Sequence, residues 1–124
     1  MASEKRQQRV AEQIRKELGG ILQREHGELA ARLTVGEVRL SPDLSHAQVF
    51  VGVMDEPARR EAVLRELMHR NKEIRHALAA RLRIRAVPLL RFLLDLSLDR
   101  VEQVDRLLER IEAERRETGA APES

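Results

Sequence analysis

Three groups of residues in this 124-residue chain have types and spacings that could do chemistry. His69, Glu73 and His76 fall at i, i+4 and i+7, so on one helix they would present two imidazoles and a carboxylate to the same side. A metal site would need further ligands in a defined geometry, and with no cysteine and no second cluster of this kind none is indicated. Ser45 beside His46 pairs a hydroxyl with a base but lacks a third group to orient the ring, so His46 is expected to bond neighbouring backbone rather than to act as a general base. The third group is basic, Arg70, Lys72, Arg75, Arg81, Arg83, Arg85 and Arg91, with the amide of Asn71 among them. Guanidinium forks match phosphate oxygens in pairs, so this group points to an anionic polymer rather than to turnover. No catalytic residue, metal or cofactor is expected.

The distribution of charge supports that emphasis more than the overall balance does. The net charge is only +2, and a pI of 9.6 follows easily in a chain with neither tyrosine nor cysteine, where little titrates between neutrality and the lysines. Counted in blocks, however, residues 59–91 hold ten Lys/Arg against three Asp/Glu, whereas residues 95–124 hold five against nine. A local excess of seven positive charges attracts phosphates whatever the total. The bland alternative is a solvated basic face partly paired with the acidic C-terminal segment. Aromatic stacking contributes little to either reading, because the only aromatics are Phe50 and Phe92, both expected to pack on the sheet.

These residues need elements to position them. Val10, Ile14, Leu18, Ile21 and Leu22 recur at helical spacing from about Glu4 to Glu25, predicting an amphipathic helix that Gly27 would cap near His26. From Thr34 to Leu40 the period becomes two, with Gly36, Val38 and Leu40 on one face and Val35, Glu37 and Arg39 on the other. A turn at 41–45 and the alternation of Ala47, Val49, Val51 and Val53 complete an antiparallel hairpin. Pro57 opens a helical pattern in which Val63, Leu64, Leu67, Ile74, Leu78 and Leu82 share a face.

Asn71 lies in the middle of that apolar face, where it must find a buried partner or mark a break. A kink near residues 70–72 is favoured, although one uninterrupted helix would also keep the apolar residues in phase. Val87-Pro88 ends the segment, and Leu90, Phe92, Leu94 and Leu96 predict a third strand. Ser97 or Asp99 can cap a last helix whose narrow stripe, Val101, Val104, Leu108 and Ile111, can dock on the chain's own sheet or on a partner, the first being favoured. One domain over 1–116 and a disordered tail over 117–124 follow, with an α+β layering of helices on one face of a three-stranded sheet. The charged N-terminus and the lack of any apolar run of about 20 residues argue against a membrane segment and for a cytoplasmic protein.

Particular residues go further than the pattern. Asp43-Leu44-Ser45-His46-Ala47, inside the stretch Val38 to Val53, resembles position by position the hairpin turn of the ribosome-binding factor A family. Leu82 to Phe92 is similar to the family's basic helix end, Val-Pro and Leu-Arg-Phe strand, and Asp95, Ser97 and Asp105-Arg106-Leu107-Leu108 continue in register. The resemblance covers roughly Arg6 to Glu109.

It implies a type II KH-like fold, helix-strand-strand-helix-kink-helix-strand with a C-terminal helix. It also implies a non-catalytic bacterial protein that binds the small ribosomal subunit and its ribosomal RNA, assisting late maturation and 5′-end processing, as a monomer in solution. Ordinary KH modules clamp nucleic-acid backbone with a GXXG loop, yet this chain has no glycine between Gly52 and Gly119. The family has a kinked element with small residues and a glycine instead, and the positions that correspond are Arg70, Asn71 and Lys72.

Overall fold

The computed structural model describes residues 2–118. In chain order the elements are α1 (Glu4–Glu25), α2 (Gly27–Ala30), β1 (Leu33–Leu40), β2 (His46–Val53), α3 (Pro57–His69), α4 (Asn71–Arg81), β3 (Leu89–Leu94) and α5 (Ser97–Thr118). The sheet runs β1-β2-β3, with β1 antiparallel and β3 parallel to β2. This is the α+β, KH-like order expected from the sequence, including the break at residue 70. Among the described residues no helix is long and apolar enough to cross a membrane.

The core lies between the sheet and the helices. Ile14, Leu18, Ile21 and Leu22 of α1 meet Val49 and Val51 of β2, Leu67 of α3, and Ile74 and Leu78 of α4. Period 3.6 on the helices and period 2 on β2 bring these side chains into one layer, and their burial supplies the main driving force for folding.

Three local expectations are corrected. α1 ends at His26, not on a glycine cap; Gly27 begins α2, a single turn anchored by buried Leu29. The side chain of His26 is itself buried, which holds its backbone at the joint. In β1 the strict alternation fails because the register shifts between Val35 and Val38. Such a bulge adds a residue to one strand, so Leu33 and Val35 share the core-facing side with Val38 and Leu40, and Gly36 and Glu37 are exposed. A Cβ at Gly36 would stand 3.0 Å from an Asp95 carboxylate oxygen, so the bulge brings these two residues close.

Just before α5, Asp95 Oδ1 accepts from the Ser97 N–H at 3.0 Å; the side chain of Asp99, one of the two expected caps, lies outside the described residues. The bonds from Ser97 also hold the Asp95 carboxyl below its ordinary value.

Last, the described side chains of the α5 stripe do not dock on the sheet; that of Val101 lies outside the described residues. α1, α3 and α4 already fill the helix-bearing face, and Val104, Leu107 and Leu108 remain 55% exposed. α5 extends through Thr118, past the expected boundary at Arg116; the rest of the expected tail, 119–124, lies outside the described residues. Phe92 is buried, whereas Phe50 is half-buried on the opposite side of the sheet, beneath the Arg39 guanidinium at 5.3 Å from the ring centre.

Candidate nucleic-acid interface

The basic residues divide into two sets once their partners are known. Arg70 sits at the break between α3 and α4, with φ −92° and ψ 5°. Its guanidinium donates to the Glu66 carboxylate at 2.9 Å and lies 3.1 Å from Nδ1 of buried His26. Arginine can only donate, so His26 Nδ1 accepts and the imidazole carries its proton on Nε2. Asn71, at the first position of α4, donates from Nδ2 to the Leu90 carbonyl at 3.0 Å, while its Oδ1 is buried without a partner. The residue that looked misplaced on an apolar face thus both opens a helix and ties it to β3.

Arg75 turns inward in the same way. Its Nε donates to the Pro88 carbonyl at 3.2 Å and its terminal nitrogen to the Val87 carbonyl at 3.1 Å. A fork over two successive carbonyls satisfies backbone acceptors in the loop between α4 and β3. Arg70, Asn71 and Arg75 therefore bind the kink, α4, the loop and β3 into one unit.

The other cations ride on that unit. Lys72, Arg83, Arg85 and Arg91 are exposed and have no ionic partner among the described residues. Lys72 and Arg91 flank the Asn71–Leu90 bond, and Arg83 and Arg85 lie in the loop held by Arg75. Arg81 is exposed too, but stands 3.9 Å from a Glu17 carboxylate oxygen, a long pair that contributes little. Beside Lys72 runs an open groove lined by His26, His76, Ala77, Ala80 and Val87.

The two smaller candidates have other arrangements. His69 closes α3 whereas Glu73 and His76 belong to α4, so the break at Arg70 interrupts the ligand spacing, and among the described residues no three such side chains converge. In the hairpin turn, Asp43 Oδ1 accepts from the hydroxyls of Ser45 and Ser41, each at 2.7 Å, and from the Ser45 N–H at 3.1 Å. These bonds, the Ser45 hydroxyl foremost, lower the Asp43 carboxyl to about 2.

The Ser45 oxygen is also 2.8 Å from His46 Nδ1, so the ring meets a side chain and not the neighbouring backbone expected for it. The hydroxyl has one hydrogen, which the carboxylate takes, and His46 Nδ1–H then donates to the oxygen. The network holds Leu44 at φ 61°, a conformation few non-glycine residues adopt, and Ser45 O accepts from Leu89 N at 2.9 Å. The sequence signal for this turn was present in its Ser/Asp content. Nothing in the sequence signalled the burial of His26.

Comparison with known proteins places this arrangement. Residues 6–108 match the family profile described as ribosome-binding factor A. The ribosome-binding factor A of Thermomicrobium roseum is 42% identical over 120 residues, covering 96% of this chain and 93% of that protein. Its counterpart in Xylella fastidiosa strain M23 is 38% identical over 121 residues, covering 92% and 94%.

The crystal structure of ribosome-binding factor A from Thermus thermophilus aligns with a TM-score of 0.63 at 33% identity, over 70% of this chain and 93% of that one. A homology model of the Thermus thermophilus factor fitted into a cryo-EM map of a 30S–RbfA complex aligns at 0.58 and 34% identity, over 68% and 90%. The chain belongs to the ribosome-binding factor A family.

Proposed function

We propose that this protein is a non-catalytic assembly factor that binds the small ribosomal subunit by its ribosomal RNA in the bacterial cytoplasm, assisting late maturation and processing of the RNA 5′ end. The observation that carries the reading is the set of exposed cations without an ionic partner among the described residues, Lys72, Arg83, Arg85 and Arg91, on a scaffold held by Arg70, Asn71 and Arg75. Membership of a ribosome-binding family supports it, as does the 30S complex of the Thermus relative. With so few aromatics, recognition rests on backbone charge and shape rather than on stacked bases.

Counterion release sets the magnitude. Four phosphate contacts give a slope of log affinity against log salt of about −3, so affinity falls roughly hundredfold between 50 and 200 mM salt. The experiment is cosedimentation with small subunits, large subunits and assembled ribosomes across a salt series. Salt-sensitive binding to free small subunits is expected, and charge reversal at Lys72 and Arg83 should abolish it without changing the circular dichroism. Binding that ignores both salt and charge reversal would refute the RNA reading in favour of contact with protein alone.

A further inference from the structure

α5 carries an apolar surface that the domain leaves uncovered. Val104, Leu107 and Leu108 are each 55% exposed and Ile111 is 38% exposed, at positions i, i+3, i+4 and i+7. At 100° per residue these four fall within about 100° of arc, a continuous stripe rather than scattered side chains. Asp105, Glu109 and Glu112 follow one edge of the stripe at about 80° to 140° from Val104, whereas Arg106 and Arg110 lie beyond the other edge. The segment from Asp95 onward has nine acidic residues against five basic ones, the reverse of the block containing α4.

Three possible occupants can be weighed against these features. RNA is disfavoured by the acidic edge, which repels phosphate where the apolar side chains would have to approach. A second copy of α5 is disfavoured by area: the stripe exposes on the order of 300 Å², so pairing two stripes buries about 600 Å², short of the roughly 1,000 Å² that a free-standing dimer requires, whereas a contact made on a particle already held through its RNA does not have to stand alone. A groove with an apolar floor and a basic rim on a protein matches both the stripe and its charged edge.

We propose that α5 is a second docking element that seats its apolar stripe in such a basic-rimmed groove on a protein of the small subunit, while the cations around α4 hold the RNA. The inference rests on the function proposed above and adds a partner of a different chemistry at the far end of the same chain. Division of labour follows from the charges: the basic block finds the particle by its phosphates, and the acidic helix selects a protein surface on it.

The test uses the full chain and the double variant Leu107→Gln/Leu108→Gln, which removes the centre of the stripe with a residue that forms helix almost as well as leucine. Affinity is measured for small subunits and for protein-free small-subunit RNA, with sedimentation equilibrium on the free proteins. The variant is expected to bind subunits about tenfold more weakly, as loss of a central apolar anchor does, and protein-free RNA as well as the parent does. Equal binding of parent and variant to subunits overturns the inference alone, and equal losses on both particles assign the stripe to RNA. A dimer of the parent that the variant lacks assigns it to a second copy. A parent that binds no particle overturns the function proposed above and this inference with it.

Discussion

Arg75 separates a residue that holds the site from one that touches the ligand. Its letter groups it with the phosphate-binding arginines, but its fork spans the Val87 and Pro88 carbonyls at 3.1 and 3.2 Å. Each bond to a charged donor is worth about 1.5–3 kcal/mol when sheltered. The guanidinium is only half-buried, so about 1 kcal/mol per bond is a fair discount.

Arg75→Ala should then cost about 2 kcal/mol, and Arg75→Lys, which keeps the charge but cannot span both carbonyls, about 1 kcal/mol. In a domain of this size the alanine variant should melt about 8 °C lower. The assays are urea unfolding for stability and the salt slope of binding to small subunits for phosphate contact. Arg83→Ala serves as the contrast, with stability kept and the slope reduced by about 0.8. If Arg75→Ala leaves the melting temperature in place and flattens the salt slope as Arg83→Ala does, Arg75 contacts RNA and does not hold the loop.

Asn71→Ala removes the donor to Leu90 O and should cost about 1–2 kcal/mol by urea unfolding; a smaller loss would mean that the unpartnered Oδ1 already offsets most of that bond. Asp43 has its carboxyl lowered from 3.8 to about 2, so the stability it contributes is complete above about pH 4 and is lost as pH falls through about 2. Asp43→Asn should flatten the parent's loss of urea midpoint between about pH 4 and about pH 2, and an unchanged acid limb would count against the turn network. Gly19 lies within α1, and a Cβ placed there would meet nothing within 4 Å, so Gly19→Ala should raise stability by about 0.5–1 kcal/mol, with a lower melting temperature as the contrary result.

Much of this protein is determined by sequence alone because its signals are local. Period 3.6 in α1, alternation in β2, Pro57 at the start of α3 and Pro88 before β3 each act within a few residues, so the element order is readable without a structure. Asn71 on an apolar face announces a break for the same reason, and the basic block of 59–91 is plain from counting.

What only the tertiary structure decides is where long side chains go. Arg70, Arg75, Arg83 and Arg85 are alike as letters; a buried His26 from the end of α1 claims the first, two loop carbonyls claim the second, and the last two are left to solvent. The bulge at Gly36 and the exposure of α5 have the same origin, since each depends on space taken by residues distant in the chain. A hydrogen bond or a filled face is a property of two segments brought together, and periodicity within one segment carries no information about the other.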